Sequence, residues 1–238
     1  MLITGWGGGT KLLEPLKRSL EAQSYSVALI NIFNALDKNI LDEKIELAKD
    51  FDVIMGWSLG GQLATILANE IQNKHDQSII LITLGSNPCF VANEAWPYAM
   101  DTTTFQSFKK SFKTDAITTL KKFGYMVCQG TNTSKKDFIK LQSLIHPQNL
   151  DTLSAGLECL GTLNNVSILE NYSGYQYHIF AKQDFLVSYK VARKLENLPA
   201  KFIFIDLISG SHGFPLFEID VVTSKIFQFL KKNNQIIR

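Results

Sequence analysis

Gly56-Trp57-Ser58-Leu59-Gly60 constrains this chain more than any other stretch. The apolar run Asp52-Val53-Ile54-Met55 leads into it, and Gly61-Gln62-Leu63-Ala64-Thr65-Ile66-Leu67-Ala68 leads out. The pattern predicts a strand, a sharp G-x-S-x-G corner and a helix. A corner this tight needs small flanking residues, because a Cβ there would clash across the turn. The serine hydroxyl is lifted clear of the sheet and set at a helix N-terminus. Backbone N–H groups and the helix dipole can hold an oxyanion at that point. The motif therefore points to nucleophilic catalysis by Ser58.

The rest of the chain supplies a matching scaffold. Continuous apolar runs at 1–4, 26–32, 53–55 and 78–84 read as strands, with helical patterns at 11–22, 40–49 and 59–73 between them. Strands buried on both faces and alternating with helices indicate a mostly parallel sheet in an α/β fold. The rhythm stops after Leu84. Residues 87–170 carry helical stripes instead, such as Phe105, Phe108 and Phe112, then Ile117, Leu120 and Phe123. The alternation resumes with a strand at 175–181, a helix at 189–196, a strand at 202–207 and a last helix at 217–232. The expected division is a core of 1–86 and 171–238 with a helical cap inserted at 87–170.

A length of 238 residues suffices for one such domain. A formal net charge of +2 argues against a dedicated nucleic-acid binder. Three widely spaced cysteines form no CxxC pair and no disulfide framework, so reduced thiols in the cytoplasm are expected. No apolar run approaches the roughly 20 residues of a membrane span. No metal or cofactor is called for.

A serine needs a base, and the chain has four histidines. His75 ends a helix in a charged stretch, His146 precedes Pro147 in the cap, and His178 lies inside an apolar strand. His212 sits in Ser209-Gly210-Ser211-His212-Gly213, just past the last strand, where a parallel sheet faces its ligand crevice. It is the best base. Asp184, in the loop after the strand ending at Ala181, is the matching acid, and the chain order Ser, Asp, His is that of α/β-hydrolases. Asp206 is a rival placed inside the last strand. The amide of Leu59 is one oxyanion donor. The loop Gly5-Trp6-Gly7 supplies a second, assigned to Trp6. A dinucleotide-binding reading of that loop fails, because Thr10 stands where a third glycine is needed.

These residues resemble the pimeloyl-acyl-carrier-protein methyl ester esterases of biotin synthesis, an α/β-hydrolase group. The likeness rests on Gly5-Trp6-Gly7, Gly56-Trp57-Ser58-Leu59-Gly60-Gly61, Ser86-Asn87-Pro88-Cys89-Phe90 with Glu94-Ala95-Trp96-Pro97, and Ser154-Ala155-Gly156-Leu157-Glu158-Cys159-Leu160. It implies the triad Ser58, Asp184 and His212, with Trp6 and Leu59 as oxyanion donors. The implied reaction removes a methyl ester from a pimeloyl chain on acyl carrier protein. Two departures stand out. Thr4-Gly5 replaces the family's His-Gly, so the loop is held differently. Two strands that precede this loop in the family are absent, so the sheet is shortened at its N-terminal side.

An acyl substrate needs an apolar channel, with Trp6, Trp57 and Phe123 as its expected walls. An acidic carrier needs a basic surface. The cap offers Lys109, Lys110, Lys113, Lys121, Lys122, Lys135, Lys136 and Lys140. Lys122 and Lys135 fall on positions where the family carries arginines. A monomer is expected, with no nucleic-acid or membrane partner. Two alternatives stand beside this reading: a hydrolase of the same fold with another ester or thioester, and a catalytically silent binding protein.

Overall fold

Six short apolar strands pair side by side, the central ones buried beneath helices on both faces. The computed structural model describes residues 1–233. The last five residues of the expected core range, 234–238, lie outside the described residues. The strands are β1 (Leu2–Ile3), β2 (Leu29–Ile30), β3 (Val53–Trp57), β4 (Ile80–Leu84), β5 (Gln176–Ala181) and β6 (Ile203–Ile208). They form one sheet in the order β2-β1-β3-β4-β5-β6, and every pairing is parallel.

The strand expected over 26–32 shrinks to the two residues of β2. It is a half-buried edge strand whose sole partner, β1, is itself two residues long. A short edge offers little backbone to a stray strand, which blunts that side of the sheet.

Side chains alternate across the sheet with a period of two. Ile54, Leu81 and Phe180 face one core, under α2 (Lys38–Ala48), α3 (Leu59–His75) and α9 (Lys190–Leu195). Met55, Trp57, Ile82, Leu84 and Ile179 face the other, under α1 (Glu14–Glu21) and α11 (Ile219–Asn233). The helix expected over 11–22 begins as a 3₁₀ turn at Thr10–Leu13 before α1. Pro15 fits the first turn of α1, where its missing N–H has no intrahelical role. The last helix is preceded by a short α10 (Phe214–Phe217).

Between β4 and β5 stand five helices: α4 (Thr102–Thr114), α5 (Ala116–Cys128), α6 (Ser134–Leu144), α7 (Leu150–Thr162) and α8 (Val166–Asn171). Three start on side-chain caps: Asp101 accepts from the Thr104 amide, Asp115 from Thr118, and Asn149 from Asp151 and Thr152. Each cap satisfies amides that the first turn leaves unpaired.

The sheet also decides where ligands go. The chain moves outward from β1 to β2 and then returns to β3 on the other side of β1. Such a switch opens a crevice beyond the C-terminal ends of the strands. The loop of Gly5 and Trp6 leaves β1 there, and Ser58 leaves β3 beside it.

Candidate active site

Ser58 adopts φ 57° and ψ −121°, one of three non-glycine residues with positive φ among the described residues. That conformation costs on the order of 1–3 kcal/mol and persists only where the surroundings enforce it. Here they do. The Ser58 amide donates to the Leu84 carbonyl at 2.9 Å, and its carbonyl accepts from Gly61 at 2.9 Å. A Cβ on Gly56 would run into the Gly60 carbonyl. One on Gly60 would strike the carbonyl of Thr4, and one on Gly61 would lie 2.5 Å from the Ser86 Cβ. At Gly56 and Gly60 the corner is backbone packed on backbone, with the half-buried serine at its tip.

Asp184 and His212 meet across two neighbouring loops. His212 Nδ1 lies 2.7 Å from Asp184 Oδ2, and both side chains are buried. The other oxygen, Oδ1, accepts from the amides of Leu186 and Val187, each at 2.8 Å. One oxygen is thus spent on holding the carboxylate while the other faces the imidazole. The loops are laced together as well. The Gln183 amide donates to the Gly210 carbonyl, and the Gly210 amide returns to Gln183 Oε1 at 2.7 Å.

Gly85 joins this pair to the serine. It follows Leu84, which accepts the Ser58 amide, and a Cβ on it would stand 3.5 Å from both Asp184 Oδ2 and His212 Nδ1. That spacing is an ordinary contact; what favours glycine at position 85 is its φ of +53°. His212 Nε2 is buried and makes no hydrogen bond among the described residues. Ser58 and His212 are not hydrogen-bonded to each other in this structure. Catalytic hydrogen bonds are often loose in unliganded sites and tighten around substrate.

The amides of Trp6 and Leu59 donate to no protein acceptor among the described residues. The Trp6 side chain is buried, its indole N–H donating to the Leu153 carbonyl at 2.8 Å. Its ring meets Phe108, Phe112 and Phe123 edge-on, with centroids 4.9–5.5 Å apart.

An apolar cavity reaches Ser58, lined by Trp6, Phe90, Phe105, Phe108, Phe123 and Met126 among others. It offers only about 20 Å³ to a water-sized molecule, so its lining all but fills it. Trp57 is absent from that lining, against expectation. It shares a face of the sheet with Met55, and its indole N–H donates to the His212 carbonyl at 3.0 Å.

The other titratable groups sort themselves by surroundings. His178 is buried in β5 with Nδ1 2.7 Å from Thr83 Oγ1, and burial lowers its pKa to about 3. Asp206 takes the Tyr177 hydroxyl and pairs with Lys225 at 3.0 Å, away from the triad residues. The three cysteines are free and buried, and burial pushes the Cys128 thiol up to about 12. Lys122 on α5 and Lys135 on α6 are exposed, on helices that pack side by side. Of the cap lysines, Lys109 is tied to Glu158 at 2.7 Å. Among the described residues no group of His, Cys, Asp and Glu is arranged to hold a metal ion, and no helix is long and apolar enough to cross a membrane.

No family model matches the chain. Over 192 residues it is 31% identical to the biotin biosynthesis bifunctional protein BioHC of Teredinibacter turnerae, covering 75% of this chain but only 33% of that protein. Over 211 residues it is 26% identical to the pimeloyl-[acyl-carrier protein] methyl ester esterase of Salmonella newport, covering 83% of this chain and 80% of that one. Among solved structures, a bromoperoxidase from Bacillus anthracis superposes with a TM-score of 0.79 at 16% identity, over 97% of this chain and 90% of its own. The chain has the α/β-hydrolase fold. Its sequence likeness to the pimeloyl-carrier esterases is borne out.

Several residues of this site escape a reading of the sequence. Gly85 and Gln183 carry no motif, and their roles exist only once β4, β5 and β6 lie side by side. Phe90 and Met126 come from segments whose facing surfaces periodicity does not name. For Trp57 a signal was present: period two puts it on the same face as Met55, the face opposite to Ile54.

Proposed function

We propose that this α/β-hydrolase removes the methyl ester from a pimeloyl chain carried on acyl carrier protein, with Ser58, Asp184 and His212 as its triad. The Asp184–His212 hydrogen bond on the rim of the strained Ser58 corner carries the catalytic part of the reading. The printed names of the Teredinibacter and Salmonella relatives support the substrate.

In this reading His212 Nε2 takes the Ser58 proton as Oγ attacks the ester carbonyl. The amides of Leu59 and Trp6 receive the oxyanion, each worth roughly 3–4 kcal/mol of transition-state stabilisation. The C–O bond to methoxide breaks, and His212 returns the proton to give methanol. Water, deprotonated by His212, then cleaves the acyl-serine ester and restores the hydroxyl. Asp184 holds the imidazole tautomer and stabilises its cation.

Residues 87–170 act as a cap over the acyl chain. The cavity beneath is tight, so Phe105, Phe108 and Met126 shift to admit a chain. Trp6 and Phe123 form its walls. Lys122 and Lys135 dock the acidic carrier, as lysines do, without the bidentate fork of arginine. The enzyme works as a cytoplasmic monomer, a location supported by relatives named for biotin biosynthesis.

Mass spectrometry of pimeloyl-carrier methyl ester tests this directly. Wild type should remove the methyl group and Ser58→Ala should not. Turnover of short p-nitrophenyl esters with no action on the carrier substrate would support another ester or thioester substrate instead.

A further inference from the structure

We propose that Thr4 and Asn31 are positioning residues for the Trp6 amide, acting through a hydrogen-bonded relay that ends on Gln148, just before α7. The proposal rests on the reading of Trp6 as an oxyanion donor.

Thr4 is fully buried at the end of β1. Its hydroxyl donates to Asn31 Oδ1 at 2.7 Å and accepts the Ile32 amide at 3.2 Å. Asn31 Nδ2 donates onward to Gln148 Oε1 at 2.8 Å, and Gln148 Nε2 donates to the His146 carbonyl at 3.0 Å. The head of Gln148 lies against Gly9, which has φ +72° and no room for a Cβ beside that amide. Three polar side chains from three segments thus bind the ends of β1 and β2 to the chain entering α7.

The backbone of Thr4 is held just as firmly. Its amide donates to the Ile30 carbonyl at 3.1 Å, and its own carbonyl abuts Gly60 in the first turn of α3. Trp6 follows two residues later, with only Gly5 between. The direction of the Trp6 amide is therefore fixed at one end by Thr4 and at the other by the indole bond to Leu153. Threonine suits this post because β-branching leaves few rotamers and the hydroxyl both donates and accepts. Removing that hydroxyl strands Asn31 Oδ1 and the Ile32 amide, and a buried unpaired group pulls its neighbours out of place.

The test compares wild type with Thr4→Val, Thr4→Ser and Asn31→Ala on a short-chain p-nitrophenyl ester. It also measures inhibition by an alkyl trifluoromethyl ketone, which adds to the serine and places its oxyanion on the same amides. For Thr4→Val and Asn31→Ala, kcat should fall about tenfold while KM stays within about twofold. The inhibition constant should weaken by the same factor as kcat, and Thr4→Ser should behave as wild type. Unchanged kcat and inhibition in folded Thr4→Val and Asn31→Ala would overturn the proposal. So would equal losses in Thr4→Ser and Thr4→Val. Asn31 is half-buried, so its variant decides the matter should Thr4→Val not fold. Ester turnover that survives Ser58→Ala would instead remove the underlying triad reading, a result distinct from any of these.

Discussion

The indole N–H of Trp57 donates to the backbone carbonyl of His212 at 3.0 Å, and the two rings lie 5.6 Å apart at a 37° tilt. The residue before the proposed nucleophile thus holds the loop of the proposed base. Trp57→Phe keeps most of the ring volume and loses the donor. It should lower stability by about 1–3 kcal/mol, because a buried carbonyl is left unmatched. It should also lower kcat several-fold with little change in KM. Urea titration alongside steady-state kinetics checks both. Lost stability with an unchanged kcat would reduce Trp57 to a packing residue.

Asp184 divides its labour between two oxygens, and a substitution can separate them. Asp184→Asn preserves shape and can keep the contacts to Leu186 and Val187, but it offers His212 an N–H. The imidazole would then take the wrong tautomer. A loss of roughly 10³–10⁴ in kcat is expected, as for other triads. A loss under tenfold would mean that another group supports His212.

Gly60 has a carbonyl where a side chain would go. A Cβ would meet the carbonyls of Thr4 and Ile3, which belong to the sheet and cannot swing aside. Gly60→Ala should cost more than about 3 kcal/mol of stability. Wild-type urea unfolding in that variant would contradict the close packing of corner on strand.

His178 gives the fold an acid sensitivity of its own. An unfolded histidine binds its proton below pH about 6.5. Folded His178 stays neutral down to about 3. Between those values the unfolded state holds more protons, so stability falls as pH drops through that window. Above it this group contributes no slope. His178→Asn should flatten the difference between urea midpoints at pH 7 and pH 4.5. An unchanged difference would place the acid sensitivity elsewhere.

Lys122 and Lys135 are tested by charge reversal. The double variant Lys122→Glu with Lys135→Glu should raise KM for carrier-bound substrate about tenfold at low salt. Turnover of a free short-chain ester should not change. The gap should narrow as salt rises, because exposed charges are screened over about 10 Å at 0.1 M. Equal effects on both substrates would show damage to the site rather than lost docking.

The parts of this protein legible in its sequence are those set by local chemistry. Apolar runs gave the strands, and the glycines around Ser58 gave the corner. Strand-end position singled out His212 and Asp184, which the fold does bring together. What escaped was set by neighbours far along the chain. Residues 26–32 read as a full strand, yet pairing stops at Leu29–Ile30 because β1 offers only two residues. The stripe of Phe105, Phe108 and Phe112 was visible, but not its division of labour. Phe105 and Phe108 line the cavity, while Phe112 is spent on the ring of Trp6. Thr4 stood out as a departure from the likeness, but its partners Asn31 and Gln148 lie 27 and 144 positions away, beyond any local pattern.

The crowding of Gly56 and Gly60 against main chain has a consequence for redesign. The sharp bend at the hydroxyl does not depend on any replaceable side chain, so it should tolerate wholesale remodelling of the helices above. New substrate preferences are best sought by randomising Phe90, Met100, Phe105 and Met126, leaving the loop from 56 to 61 untouched.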